Sequence, residues 1–141
     1  MTAIFHVSDT LWVLIDWTDD FDAMLDTLEA RAAAGDQHSA DTRLLIDQQL
    51  AYLQRLTTPP TDETPTLKRV RQSRRHPIWR VAHPYRPGIA VRTIVWFPDA
   101  EHVVVALFAN DKAQMGDVFY DSAGTRADQI IDRWLRERNT P

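Results

Sequence analysis

The pattern of apolar and polar positions separates a helical first half from a second half of short apolar runs. The run at residues 11–17 is rich in Leu, Val, Ile and Trp and predicts a buried strand. Thr18 and two aspartates follow, which suit the start of a helix, and apolar residues then recur at helical spacing up to Gly35. A second helix of roughly 16 residues is predicted to begin at Ser39 or Asp41. The two helices are expected to form an antiparallel hairpin.

Residues 57–65 are rich in proline and cannot continue the second helix. They predict an exposed loop that runs on as a basic loop to residue 77. Three strands and a final helix are predicted after it, at residues 78–83, 90–97, 102–109 and 125–138. The predicted fold class is α+β: an N-terminal strand and a helical hairpin packed on an antiparallel meander of three to four strands, with a C-terminal helix. Residues 1–141 are expected to form a single domain.

The amino-acid composition excludes several kinds of functional site. The 141 residues include no cysteine, which excludes disulfides, thiol catalysis and cysteine-ligated metal sites. Four scattered glycines leave no glycine-rich phosphate loop. The longest apolar run, residues 103–109, is far shorter than a membrane helix, and no basic flank precedes an apolar stretch at the N-terminus. We therefore expect a cytoplasmic protein that does not bind membranes.

The net charge of -4 conceals a strong asymmetry. Residues 1–66 carry a net charge of -9, and residues 67–141 carry +5. Residues 67–97 hold eight Lys or Arg and no acidic residue. Such segregation predicts a polyanionic partner for the second half. The alternative is a basic surface that is simply solvated or is paired with the acidic half of the same chain.

The predicted hairpin register brings two arginines together. If the turn is centred on Arg86, Arg80 faces Arg92 directly, and both share one side of the sheet. The opposite side, with residues such as Val81 and Val95, is apolar enough to form the core under the helices. Like charges directly opposite each other are destabilising, whereas two guanidinium groups can converge on one phosphate or oxyanion. A slip of one residue would put the arginines on opposite faces.

Two further residues could complete an anion site and a third could act as a base, although each also has an ordinary structural explanation. Lys112 follows the predicted central strand and is typical of a turn lysine. Tyr120 precedes the final helix and is typical of a packed aromatic residue. His83 lies close to Arg80 near a turn, where it is either structural or a possible general base. No histidine pair has the spacing of a helical metal site.

Several of these segments resemble the RelE/ParE superfamily of toxins, and in particular a RelE- or HigB-like toxin of a type II toxin–antitoxin module. The segments are LKRVR at 67–71, IWRVAH at 78–83, AVRTIVW at 90–96, the apolar strand at 103–108, the lysine at 112 and VFYD at 118–121. The resemblance covers roughly residues 67–135 by motif, and by element order it extends back to about residue 10.

The resemblance implies an endoribonuclease that cleaves mRNA in the ribosomal A site without a metal or other cofactor. The RNA 2′-hydroxyl would attack the adjacent phosphate, and fixed cations would stabilise the developing charge. The ribosome, mRNA and a cognate antitoxin protein are the implied partners. The predicted catalytic residues are Arg80, Arg92, Lys112 and Tyr120. The predicted RNA-binding residues are Lys68, Arg69, Arg71, Arg74, Arg75 and Arg86.

The chain departs from the family pattern in three places. Ala82 stands where ribonuclease members often have a second basic residue, the loop at 57–77 is longer than usual, and residues 1–66 are unusually acidic. Two other functions therefore stay open. One is a non-nucleolytic relative that inhibits a protein target, such as gyrase or a host factor. The other is a non-toxic module that binds nucleic acid or protein.

Overall fold

The computed structural model describes residues 2–6, 12–56, 60–82, 89–98, 103–111 and 118–138. The elements follow the order β1 (Thr2–His6), β2 (Trp12–Trp17), α1 (Asp19–Ala33), α2 (Gln37–Gln54), β3 (Leu67–Val70), β4 (Ile78–Val81), β5 (Val91–Trp96), β6 (Val103–Asp111) and α3 (Val118–Arg138). The predicted α+β class is confirmed, as is the order of a strand, two helices, several strands and a final helix.

The sheet is larger than the predicted meander. Its strands lie in the order β1-β2-β6-β5-β4-β3. All neighbours are antiparallel except β2 and β6, which are parallel. The predicted antiparallel meander is confirmed, because β3, β4, β5 and β6 pair with one another in sequence order. The strands β1 and β2 extend the sheet beyond β6, and the sheet is mixed because the β2–β6 pair is parallel. The parallel pair is possible because the helical hairpin and three strands lie between β2 and β6 in sequence, which leaves ample chain for the crossover.

Local capping defines the helical hairpin. The Thr18 hydroxyl accepts a hydrogen bond from the Phe21 amide at 3.1 Å and donates one to the Leu107 carbonyl at 2.7 Å, so it starts α1 and ties it to β6. Gly35 has a φ of 100°, which suits a residue just after a helix. The Asp36 side chain then caps α2. The second helix thus begins a few residues earlier than predicted.

Helices cover both faces of the sheet. The predicted core face is confirmed: α1 and α2 pack on Trp79, Val81, Val91 and Val95. The opposite face carries the third helix. Apolar residues of α3 cover part of it by packing on buried residues of the strands, among them Ile78, Ile94, Trp96, Ala127, Ile130 and Ile131. A strand buried on both faces reads as a nearly continuous apolar run, as β5 and β6 do.

Candidate functional site

Arg80 and Arg92 share one face of the sheet, but in a different register from the predicted one. Arg80 is paired with Ile94 between β4 and β5, and Arg92 is paired with Asn110 between β5 and β6. The register is shifted by two residues, which preserves the alternation of faces. The arginines therefore lie diagonally across two strands, where Cβ atoms are about 7 Å apart, and the predicted direct opposition is wrong.

An opposed pair of like charges does occur, one strand further out. Lys68 of β3 is paired directly with Arg80 of β4. The first four residues of the predicted basic loop thus form an edge strand rather than a loop. Lys68, Arg80 and Arg92, from three adjacent strands, are all half-buried on the face that α3 partly covers. These three residues are called the basic face below.

The guanidinium group of Arg92 folds back on its own strand, and one of its buried donors has no partner among the described residues. Its Nη1 donates to the Val91 carbonyl at 3.1 Å, while its Nε is buried without a hydrogen-bond partner among the described residues. It is also the one residue of β5 that is not fully buried. In the described part of the chain, neither Lys68 nor Arg92 forms an ion pair with a carboxylate. A buried donor left without an acceptor costs about 1–3 kcal/mol, which a bound anion would recover.

A buried polar network fixes the start of β5 behind Arg92. The Gln49 side chain is fully buried, and its Nε2 donates to the Val91 carbonyl at 3.0 Å. The Thr93 hydroxyl donates to Oε1 of Gln49 at 2.6 Å. These bonds tie α2 to the residues on each side of Arg92. The backbone that carries Arg92 is therefore well fixed.

The structure adds Arg126 of α3, which the sequence analysis did not select. Its Cζ lies 4.2 Å from the centroid of the Phe108 ring, a cation–π contact. Phe108 pairs with Ile94, and Ile94 pairs with Arg80, so the ring lies in the same row across the sheet as the basic face. Arg126 occupies an exposed position of an amphipathic helix, where a cation is ordinary, and only the tertiary contact sets it apart.

Lys68 and Arg80 also line a cavity of about 270 Å³ at the edge of the sheet, together with Arg71. One carboxylate reaches this cavity: Glu63 accepts a hydrogen bond from Nη2 of Arg71 at 2.6 Å. Predicted RNA-binding residues and a predicted catalytic residue therefore share one concave surface. Its lining is cationic, with Glu63 on one side.

Arg69 is directed to the other face of β3. Its Cζ lies 5.6 Å from the centroid of the Trp79 ring, and Trp79 belongs to the core under α1 and α2. Its side chain is exposed at the sheet edge and also lines the 270 Å³ cavity. Arg69 thus extends the cationic surface around the edge strand rather than adding to the basic face.

The turn between β3 and β4, residues 71–77, is called the basic turn below, and Asp128 of α3 holds it. Oδ1 of Asp128 accepts hydrogen bonds from the Ser73 hydroxyl at 2.8 Å and the His76 amide at 3.1 Å. Oδ2 accepts from the amides of Arg74 at 3.0 Å and Arg75 at 3.2 Å. Burial raises the pKa of Asp128, but these four donors outweigh it and hold the pKa below 3.8.

Asp132, a second carboxylate of α3, forms an ion pair with Arg75, one of the predicted RNA-binding residues. Asp132 lies 2.9 Å from Nε2 of His76 and 2.5 Å from Nη2 of Arg75. The hydrogen bond from His76, followed by the charge of Arg75, lowers the pKa of Asp132 below 3.8 despite partial desolvation. Arg74, by contrast, is exposed and forms no ion pair within the described residues. The basic turn therefore presents Arg71 and Arg74 more openly than Arg75.

Four predicted site residues lie wholly or partly outside what the structure describes. Lys112, His83 and Arg86 lie outside the described residues. Tyr120 is described by its backbone only, and it lies in the first turn of α3. The final helix starts at Val118, so the prediction that Tyr120 precedes the helix is wrong. The roles expected of these four residues stay predictions.

The charge asymmetry of the sequence corresponds to two sides of the sheet. Acidic residues begin α1, in the layer that covers one face, and the basic face lies on the other. Two ion pairs join residues 1–66 to residues 67–141 in the described part of the chain, Arg71 with Glu63 and Arg133 with Asp20. Neither involves the basic face. With the pair between Arg75 and Asp132, pairing among the described residues engages at least three arginines of residues 67–141.

No family model, curated protein or solved structure matches the chain. Among the described residues, no group of three or more His, Cys, Asp or Glu side chains is arranged to hold a metal ion. Within the same residues, no helix has the length and apolar character needed to cross a membrane.

Proposed function

We propose that this chain is the toxin of a toxin–antitoxin module and that it cleaves mRNA on the ribosome. The observation that carries the proposal is the basic face, where Lys68, Arg80 and Arg92 come together on one side of three adjacent strands. Folding alone does not favour two opposed cations at half-buried positions. A phosphate group placed between them would turn this repulsion into attraction.

The proposed chemistry needs positive charge more than covalent participation. The 2′-oxygen of a ribose forms a bond to the adjacent phosphorus, and the bond from phosphorus to the 5′-oxygen of the next nucleotide breaks. The products are a 2′,3′-cyclic phosphate and a free 5′-hydroxyl. Negative charge grows on the phosphoryl oxygens and on the leaving oxygen, and Arg80 and Arg92 would stabilise it through charge-assisted hydrogen bonds.

Two proton transfers accompany these steps. The 2′-hydroxyl must lose a proton, and the leaving 5′-oxygen must gain one. His83, Tyr120 and Lys112 are the residues proposed for these transfers, by residue type and by the resemblance to RelE-like toxins. Arg92 supplies the anchoring cation, because its buried Nε offers a donor that no described residue uses.

The acidic helical layer suits the same proposal. A polyanion is repelled from the side of the sheet that α1 covers and attracted to the side of the basic face. The long-range field would therefore orient the protein as it approaches ribosomal RNA. The acidic character of residues 1–66 then favours correct docking, although it lowers the total positive charge.

Expression in a bacterial host under an inducible promoter tests the proposal. Induction is expected to arrest growth and translation, and the 5′ ends of cellular mRNA should show new cleavage sites within coding regions. Arg92→Ala should relieve both effects. Arg55→Ala is a matched control, because Arg55 is an exposed arginine at the end of α2. Normal growth at confirmed expression of the wild-type protein would refute the toxin proposal.

A protein target is the second candidate, and one residue favours it. Ala82 is buried directly after β4, where the ribonucleases of the RelE/ParE superfamily often carry a second basic residue. A poison of gyrase or of another host protein would arrest growth without cutting mRNA. Growth arrest with intact mRNA in the expression experiment would therefore select this candidate.

A further inference from the structure

Contacts with α3 hold the basic turn, in addition to the hydrogen bonds that Ser73 donates to the carbonyls of His76 and Val70. The amides of Arg74, Arg75 and His76 converge on the carboxylate of Asp128, which is only 4% exposed. Consecutive amides directed at one point form a concave binding site for an anion. Here α3 supplies that anion from within the protein.

Two neighbouring residues of α3 make the same contact more extensive. Gly124 lies one turn before Asp128, and Asp132 lies one turn after it, so all three share one side of the helix. The absence of a side chain at Gly124 allows the helix to touch the backbone at Gln72. Asp132 binds His76. Helix α3 therefore contacts the basic turn with residues from three successive turns of the helix.

We propose that Asp128 is a positioning residue for RNA binding, because it locks the basic turn so that Arg71 and Arg74 hold a fixed place beside α3. This role rests on the proposed function. The two arginines line an open cavity of about 660 Å³ with Thr125 of α3, at the junction that Asp128 secures. Because Tyr120 lies two helical turns before Asp128, the same lock fixes the first turn of α3 relative to the arginines.

The proposal makes a prediction opposite in sign to simple electrostatics. A carboxylate close to a cationic surface repels phosphate, so its neutralisation alone should strengthen RNA binding. If Asp128 positions the turn, Asp128→Asn should weaken binding even though the variant gains a unit of positive charge. Asparagine keeps the shape of aspartate but has one acceptor oxygen, so it can serve only one of the two pairs of donors.

The first measurement examines the lock itself. Hydrogen exchange of the wild-type protein should show protected amides at Arg74, Arg75 and His76. Asp128→Asn should remove protection from at least one donor pair while the amides of β5 stay protected. Ser73→Ala removes a single donor and should give a smaller effect in the same direction, which keeps the test informative if Asp128→Asn folds poorly. Unchanged protection in both variants would refute the lock.

The second measurement tests whether RNA binding depends on the contact between Asp128 and the basic turn. Binding to bacterial ribosomes programmed with a 2′-O-methylated mRNA is followed by sedimentation at several salt concentrations. Asp128→Asn should bind about tenfold more weakly per folded molecule, since roughly one charge-assisted contact is lost. The slope of log affinity against log salt should fall by about 0.7 to 0.9 per lost phosphate contact. Glu137→Gln, a charge removal at the far end of α3, should leave affinity unchanged or slightly higher.

The outcomes separate the inference from the proposed function. An open turn with unchanged or tighter ribosome binding would refute the positioning role and leave the proposed function intact. Failure of the wild-type protein to bind ribosomes would refute the proposed function and with it the role in RNA binding. Hydrogen exchange would then still establish whether the lock exists. A merely stabilising role for Asp128 predicts a lower melting temperature with no change in salt slope.

Discussion

Replacing Gly124 by alanine is predicted to destabilise the protein, although alanine is the best helix former. A Cβ at this position would lie 2.4 Å from the carbonyl carbon of Gln72 and 2.6 Å from both its oxygen and the amide nitrogen of Ser73. Ordinary carbon contacts are about 3.5–4.0 Å. All three contacted atoms belong to the backbone, so no side-chain rotation relieves the clash. The helix and the basic turn must separate by about 1 Å.

The expected change in the free energy of unfolding is the difference between a gain in helix propensity and a loss from the clash. Alanine gains about 1 kcal/mol over glycine in a helix. Overpacking costs about 1–3 kcal/mol, and separation weakens hydrogen bonds to the charged Asp128, each worth about 1.5–3 kcal/mol. A net loss of about 2 kcal/mol is expected. For 141 residues this corresponds to a melting temperature about 7 °C lower.

Thermal unfolding followed by circular dichroism measures the effect. Thr125→Ala is the matched control, because Thr125 is the exposed next residue and its replacement should raise stability by about 0.5 kcal/mol through helix propensity. Gly124→Ala should therefore move the melting temperature in the opposite direction to Thr125→Ala. A variant that melts at or above the wild-type temperature would refute the close approach of α3 to the basic turn.

The remaining predictions concern charge and buried polarity. Lys68→Leu should stabilise the protein by a few tenths to about 1 kcal/mol, because it removes the repulsion between Lys68 and Arg80. The same variant should bind ribosomes more weakly. A stability in urea unfolding equal to or lower than that of the wild-type protein would contradict this prediction. Because the pKa of Asp128 is lowered on folding, its stabilisation is complete above the ordinary value of 3.8 and is lost as pH falls through the folded value. Asp128→Asn should therefore flatten the acid limb of a stability-against-pH curve, and an unchanged limb would rule the residue out. Gln49→Leu should cost about 1–3 kcal/mol in urea unfolding, because Thr93 loses its buried acceptor.

The sequence predicted those elements that local patterns determine. Helix α1 was predicted to run from the residues after Thr18 to Gly35, because a capping hydroxyl and a glycine mark its ends. The central strands β5 and β6 were found to within two residues because their apolar runs are long. The face shared by Arg80 and Arg92 was also correct, since alternation survives a register shift of two residues.

The features that the sequence analysis missed have a common physical cause: each depends on contacts between residues that are far apart in the sequence. Strand β3 reads as a basic loop because two of its four residues are cations, and pairing with β4 decides its conformation. The hydrogen bonds between Asp128 and the basic turn could not be predicted from the sequence. Asp128 lies more than 50 residues from its donors, and nothing in the local sequence distinguishes it from an aspartate on the exposed side of a helix. The cover that α3 places over the sheet is likewise a tertiary feature.

The rate of mRNA cleavage by purified protein on translating ribosomes tests the central claim most directly. Wild-type protein should cut the mRNA within the codon in the A site and leave a 2′,3′-cyclic phosphate. Arg92→Ala should lower the single-turnover rate by about 10²–10³, the usual effect of removing one donor to transition-state charge, without changing the melting temperature by more than a few degrees. Intact mRNA with the wild-type protein, or equal rates for the two proteins, would contradict the account.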